Sequence, residues 1–198
     1  QPSAQVRVHA ANVEWLGQHL DTISGPLRIE GRQASSERLE VTSGEGRASL
    51  VGRVDLARET FDATLTATRF PVAPLRMPGD RTDVPRVDLA GTLDVQLDAR
   101  GSFAAPTGTG RLSSQDLRYG QFRPGPVEAD VVLDGQGGGR VEARVPDLAA
   151  RLNASARLSR PWAYDVLAQV EGLDVAQAAV HAGIAPETAA EFTGSLTG

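Results

Sequence analysis

Strict alternation of apolar and polar residues is the feature that most constrains this chain. From Val87 to Arg100 the apolar positions are Val87, Leu89, Leu93, Val95, Leu97 and Ala99, with Asp88, Thr92, Asp94, Gln96, Asp98 and Arg100 between them. Successive side chains of a strand point to opposite faces, so this segment presents one dry face and one wet face. The pattern returns at Ala48, Leu50, Val54 and Leu56, at Phe61, Ala63, Leu65 and Ala67, and at Leu152, Ala154, Ala156 and Leu158. Turn signals separate the runs: Ser43-Gly44-Glu45-Gly46, Pro78-Gly79-Asp80, Pro124-Gly125-Pro126 and the glycine-rich stretch from Asp134 to Gly139. Short alternating strands joined by tight turns predict an all-β, antiparallel fold.

One segment breaks the alternation. Asp174 is placed to cap a short helix through Val175 to Val180, stopped near Gly183, so a helix is expected near 174–182. A helix lying in a membrane surface needs basic residues on its polar face, and this one has only His181. It reads as a connection, or as a cap over one end of the sheet.

The chain also repeats itself with a period of about 103 residues, single-residue turn insertions explaining the drift. Gly25-Pro26-Leu27 returns as Gly125-Pro126-Val127, Arg38-Leu39-Glu40 as Arg140-Val141-Glu142, and Phe61-Asp62 as Tyr164-Asp165. Phe70, Val72 and Ala73 match Leu173, Val175 and Ala176; Gly91-Thr92-Leu93 matches Gly194-Ser195-Leu196. The organisation read from these matches is a partial first copy over 1–86, a second over 87–190 and the start of a third over 191–198, all in one continuous sheet. The sequence starts at Gln1 and ends on what reads like the opening of a strand. It is therefore expected to be a piece of a longer protein, with any targeting or anchoring segment outside it. Repeats of this kind stack so that no unit closes its own core. At about 4.8 Å per strand, twelve to fourteen strands extend on the order of 60 Å, and such a sheet must twist.

Composition removes whole classes of function. The chain is acidic, with 25 Asp and Glu against 20 cationic residues, all of them Arg. Nucleic-acid binding rests on neutralising phosphates, so no nucleic-acid partner is expected. Without Lys there is neither a P-loop lysine nor a Schiff base, and without Cys neither a disulfide nor a thiolate site. His9, His19 and His181 are scattered, with no pair at metal-ligand spacing. Asp88, Asp94 and Asp98 share the wet side of one strand, which makes them a solvated face rather than an acid–base pair, and no twelve-residue Ca²⁺ loop surrounds them. The Gly135–Gly139 cluster lacks the spacing and following helix of a phosphate cradle. Ser102 and Ser195 sit in strand or turn contexts without a nearby base. No catalytic residue, metal site or cofactor is expected, and the chain is not read as an enzyme.

What covers the apolar face is the open question. With 5 Phe, 2 Trp and 2 Tyr the stripes are mostly Ala, Val and Leu. They fit a trough for flexible hydrocarbon, where each buried CH₂ is worth about 0.8 kcal/mol. They fit an alanine-rich sandwich core as well. A secreted sandwich that binds carbohydrate would show aromatic platforms, and Trp15, Trp162 and Tyr164 are few and far apart.

One further signal comes from the order of motifs. Val87-Asp88-Leu89-Ala90-Gly91-Thr92-Leu93-Asp94-Val95-Gln96-Leu97 is followed by Gly101-Ser102-Phe103-Ala104-Ala105-Pro106-Thr107-Gly108-Thr109-Gly110. Then come Leu117-Arg118-Tyr119-Gly120 and Gly125-Pro126-Val127-Glu128-Ala129. Over nearly the whole chain this succession resembles the repeat region of the TamB family, within the AsmA-like group of bacterial envelope proteins. Gly91 permits a kink, Pro106 is expected to end one strand and set the bend to the next, and Gly120 and Gly125-Pro126 to close tight turns.

The resemblance implies an elongated, twisted antiparallel sheet curled into an open groove, a β-taco. It also implies an inner-membrane anchor elsewhere in the protein, a periplasmic location and a role in moving phospholipid towards the outer membrane. On this view Leu50, Val54, Leu65, Leu93, Val95, Leu97, Leu152 and Ala156 line the groove, and phospholipid acyl chains are the partner. The alternative is a scaffold for assembly of outer-membrane β-barrel proteins, with a barrel partner contacted elsewhere in the full chain.

Overall fold

The computed structural model describes residues 3–15, 18–72, 89–159, 163–182 and 195–196. Among these residues the chain is all-β apart from one short helix and one 3₁₀ turn. Its strands are β1 (Ser3–Trp15), β2 (Gln18–Glu30), β3 (Gln33–Ser43), β4 (Gly46–Asp55), β5 (Thr60–Pro71), β6 (Leu89–Ala90), β7 (Thr92–Ser102) and β8 (Ala105–Ser114). They continue as β9 (Arg118–Tyr119), β10 (Val127–Asp134), β11 (Gly138–Val145), β12 (Ala150–Ser159), β13 (Ala163–Glu171), β14 (Leu173–Asp174) and β15 (Ser195–Leu196). The 3₁₀ turn is Pro146–Leu148, and α1 spans Val175–His181.

Eleven strands form one antiparallel sheet in the order β1-β2-β3-β4-β5-β7-β8-β10-β11-β12-β13. The sheet does not close on itself, so β1 and β13 are its edges. This is fewer than the twelve to fourteen strands expected, because the two-residue strands pair off separately, β6 with β9 and β14 with β15. Consecutive strands are neighbours throughout the large sheet, which keeps its connections short. Tight turns join the strands at one end, for example between Asp55 and Thr60. Longer excursions gather at the other, between β5 and β7 and between β8 and β10.

Alternation explains the strands, and their bends have local causes. The register shifts between Ser24 and Arg28 in the β2–β3 pair, between Ser36 and Leu39 in β3–β4, and between Ala67 and Phe70 in β5–β7. An extra residue on one strand bends it and raises the local twist. The shift at Ala67/Phe70 carries Arg69 in the left-handed region, φ 48, and its N–H donates to Asp94 Oδ1 at 2.7 Å.

Glycine makes close approach possible on one side of the sheet. A methyl group on Gly52 would stand 2.5 Å from the Asp62 carbonyl oxygen and 2.9 Å from Ala63 Cα, and one on Gly108 would collide with the Asp98 carbonyl. Both glycines sit on the apolar face, so neighbouring strands lean together there and the sheet can curl towards that side.

Three expectations need correction. Leu56 continues the alternation in sequence but falls in the turn after β4 and is exposed, because Asp55 accepts the backbone N–H groups of Ala57 and Arg58 and folds the chain back. Pro106 does not end a strand. It lies inside β8 opposite Gly101, and the turn is made by Phe103 and Ala104. Gly25-Pro26 does not behave like Gly125-Pro126. It lies within β2, paired with β1 through Val8↔Gly25 and Arg7↔Pro26, whereas Gly125-Pro126 precedes β10 in irregular backbone.

The helix forms where it was expected. Asp174 is extended (φ −76, ψ 108) and its side chain accepts from the N–H of Gln177 at 3.0 Å, which supplies one orphan donor of the first turn. α1 rests against the 3₁₀ turn and buries Ala179, while Leu148 from that turn is 3% exposed. The N–H of Arg123 donates to the His181 carbonyl. α1 therefore covers one end of the sheet, as a connection that doubles as a cap. Pro78-Gly79-Asp80, Val87, Asp88 and Trp162 lie outside the described residues.

Candidate functional site

Register turns the separate stripes into continuous rows. Following the paired residues from strand to strand gives Ala10, Ile23, Val41, Ala48, Ala67, Val95, Leu112, Ala129, Ala143, Leu152 and Val170, one residue from each of the eleven strands and all apolar. Beside it runs Leu39, Leu50, Leu65, Leu97, Gly110, Val131, Val141 and Ala154. One position over, on the opposite face, the row is His9, Ser24, Glu40, Ser49, Thr66, Gln96, Arg111, Asp130, Glu142, Asn153 and Gln169. The apolar rows and this polar row differ completely in chemistry, although Val51 and Val132 lie on the polar face.

No second layer covers the apolar face among the described residues. Extended contact is confined to strands that are neighbours in the sheet and to the small elements at the α1 end. Yet the face is shaded. Along β7 Leu93, Val95, Leu97 and Ala99 are half-buried while Asp94, Gln96, Asp98 and Arg100 are exposed. Among the described residues no other element packs on the sheet, so the shading of the apolar side chains comes from their neighbours within the sheet itself. Ala67, Ala129 and Ala143 in the central row are each 8% exposed, whereas Leu50 is 37% exposed. The result is a trough with a shaded floor and open sides. It is not an interdigitated sandwich core.

The trough carries no charge in the rows from β3 to β8. Polar side chains on this face there are Ser36, Ser43 and Ser114, and each is turned to the protein. Ser36 Oγ donates to the Pro26 carbonyl at 2.7 Å, Ser43 Oγ to the His19 carbonyl at 2.6 Å, and Ser114 Oγ bonds Asp116. A guest on this surface would find hydrocarbon and satisfied hydroxyls only.

Of the residues singled out in the sequence, Leu50, Leu65 and Leu97 share one row directly. Val95 and Leu152 lie in the eleven-residue row. Val54 pairs with Phe61 and Leu93 with Phe70, on the same face towards the two strand ends. Ala156 pairs through its backbone with Gly139, in register with the same face. The sequence reading missed Ala10, Ile23, Val41, Leu112, Ala129 and Ala143. Around Ile23, Val41 and Leu112 the signal is diluted by Ser, Thr and Gly neighbours, whereas Ala129 and Ala143 alternate plainly with Glu128, Asp130, Glu142 and Arg144 and are inconspicuous only because alanine is small.

The polar face holds the charged groups, and pairing among them is local. Arg53 meets Asp62 at 3.1 Å, Arg111 meets Asp130 at 3.4 Å, and Thr64 Oγ1 donates to Asp98 at 2.6 Å. A depression of about 630 Å³ lies at the strand ends among Arg28, Arg53, Arg58, Arg100, Asp55 and Asp62. Its charged groups are largely paired with one another, and it sits apart from the eleven-residue row. Three turn carboxylates are held below their ordinary range by hydrogen bonds. Asp55 accepts chiefly from the backbone of Arg58, Asp116 from that of Thr92, and Asp134 from those of Gln136 and Gly138. Their work is to fasten turns. His19 lies 3.1 Å from Glu14, and His181 Nδ1 bonds the Arg123 carbonyl; the two histidines serve separate ends of the chain.

No protein-family model matches the chain, and neither does any curated protein or solved structure.

Proposed function

We propose that this chain is a non-enzymatic wall segment of a hydrophobic groove that conducts phospholipid between the inner and outer membranes across the periplasm. The observation that supports the reading is the apolar row from Ala10 to Val170, which crosses all eleven strands without a polar residue and, among the described residues, lies under no other layer. At about 4.8 Å per strand the row extends on the order of 50 Å. An acyl chain laid along it gains about 0.8 kcal/mol for each CH₂ removed from water. Its headgroup stays at the open side, since the trough offers no polar partner. Water wets the opposite face, where charged and hydroxylic side chains alternate. This is the role the resemblance to TamB-type proteins implies, and an anchor in the inner membrane would belong to another part of such a protein.

The test is co-purification. Protein extracted without detergent and examined by native mass spectrometry is expected to carry phospholipid, and a folded Val95→Asp/Leu97→Arg variant to lose most of it. Lipid-free wild type, or a variant that keeps its lipid, contradicts the proposal. If the variant also keeps crosslinks to outer-membrane β-barrel clients along the sheet edges, the scaffold role takes its place.

A further inference from the structure

The depression at the tight-turn ends of the strands belongs to the polar face. Arg28, Ser35, Arg53, Asp62 and Arg100 are paired in succession across β2, β3, β4, β5 and β7. Arg53 and Arg100 stand an even number of residues from Ser49 and Gln96 of the polar row, so they share its face. Four arginines, Arg28, Arg53, Arg58 and Arg100, line the depression against three carboxylates, Glu30, Asp55 and Asp62. Four against three leaves a local excess of one positive charge in a chain that is acidic as a whole.

Each carboxylate has its arginine. Arg28 meets Glu30 at 2.5 Å, Arg53 meets Asp62 at 3.1 Å and Arg58 meets Asp55 at 3.6 Å. Arg100 is the one left over. Its cross-strand neighbours are Asp62, which faces Arg53, and Thr107, whose hydroxyl donates to the Arg100 carbonyl at 3.1 Å. Asp98, two residues earlier on the same face, accepts from Thr64, and Asp134, opposite Thr107, fastens its own turn. Among the described residues the Arg100 guanidinium has no ion pair.

A guanidinium presents a planar fork of donors that matches phosphate oxygens two at a time. Ser35 and Thr60 add hydroxyl groups to the lining, and at about 630 Å³ there is room for a phosphate together with the group it is esterified to. Exposed ion pairs such as Arg53–Asp62 are weak, so Arg53 is free to turn towards an incoming anion. We propose that this depression binds a phosphate monoester, gripped by Arg100 and joined by Arg53. A soluble phosphate ester and the headgroup of phosphatidic acid offer the same chemistry. The site lies on the face opposite the trough and does not depend on what the trough carries.

The probe is glycerol 3-phosphate, titrated into the isotopically labelled chain while the arginine Nε–H resonances are followed by NMR and chloride holds the ionic strength constant. Saturable shifts are expected at Arg100 and Arg53 and not at Arg111, which is paired with Asp130 elsewhere on the same face. Arg100→Gln removes the unpaired fork and is expected to weaken binding about tenfold. Asp62→Asn frees Arg53 and removes a competing carboxylate, and is expected to tighten binding about threefold. These opposite responses from two exposed neighbours separate a binding site from a loss of folding, which circular dichroism checks directly.

Cosedimentation with phosphatidylcholine vesicles containing phosphatidic acid distinguishes the two sources. Retention by wild type that Arg100→Gln abolishes assigns the site to a lipid headgroup, and glycerol 3-phosphate binding without Arg100-dependent retention assigns it to a soluble ester. Shifts that do not saturate, or that chloride alone reproduces, overturn the proposal. So does an Arg111→Gln variant that binds as weakly as Arg100→Gln, or an Asp62→Asn variant that binds no more tightly than wild type.

Discussion

Gly52 and Gly108 lie opposite Ala63 and Ala99 where the strands come closest, and a single hydrogen in place of a methyl group allows that approach. Gly52→Val inserts carbon atoms against the Asp62 carbonyl and Ala63, and flattening the sheet locally is the way to accommodate them. A loss of about 1–3 kcal/mol is expected, read as a lower midpoint in urea. Leu97→Met, which keeps volume and polarity, should leave the midpoint nearly unchanged. Another residue-scale effect is electrostatic. Asp116 accepts from the backbone N–H and hydroxyl of Thr92, at 2.8 and 2.9 Å, and its carboxyl is held below the ordinary 3.8. A depressed carboxylate stabilises the fold above its unfolded pKa, and that contribution is lost as pH falls through the folded value. Asp116→Asn should therefore be less stable than wild type at neutral pH, and the difference should shrink below about pH 4. Urea midpoints measured at pH 7 and pH 3 check this.

At the scale of the element, the helix and most strands were legible because one short-range rule governs each. Asp174 followed by an alanine-rich run is enough to start α1, and Asp174→Ala is expected to weaken the first turn by about 1 kcal/mol. Faster amide exchange at Gln177 would register that loss, with exchange in β7 unchanged. The strands from Leu50 to Leu97 were equally plain, since large apolar residues alternate with charged ones. Gly25-Pro26 shows where local reading fails. The same dipeptide that leaves the chain irregular before β10 is held within β2, since Gly25 fits against Arg38 and Leu39 and Ser36 Oγ bonds the Pro26 carbonyl. Neither contact can be seen without knowing that β3 folds back on β2. Pro106 misleads for a related reason: facing Gly101, it is accommodated in β8, and its carbonyl accepts the N–H of Gly135.

At the scale of the whole molecule, the dry face was legible and its continuity was not. Alternation assigns Val95 and Leu152 to the dry side of their own strands, but only the pairing of five successive strands puts them in one row. The choice between a filled sandwich and an open trough likewise depends on partners distant in sequence, and the single open sheet, bare of a second layer among the described residues, favours the trough. An uninterrupted apolar floor open to a hydrocarbon guest is the central claim. The direct test is site-specific photocrosslinking in cells, with a photoreactive residue placed in turn at Leu112 and Val131 on the trough side and at Arg111 and Val132 on the wet side. Phospholipid adducts are predicted at positions 112 and 131 and not at 111 or 132. Adducts spread equally over both faces, or none at 112 and 131 in folded protein, would contradict the account.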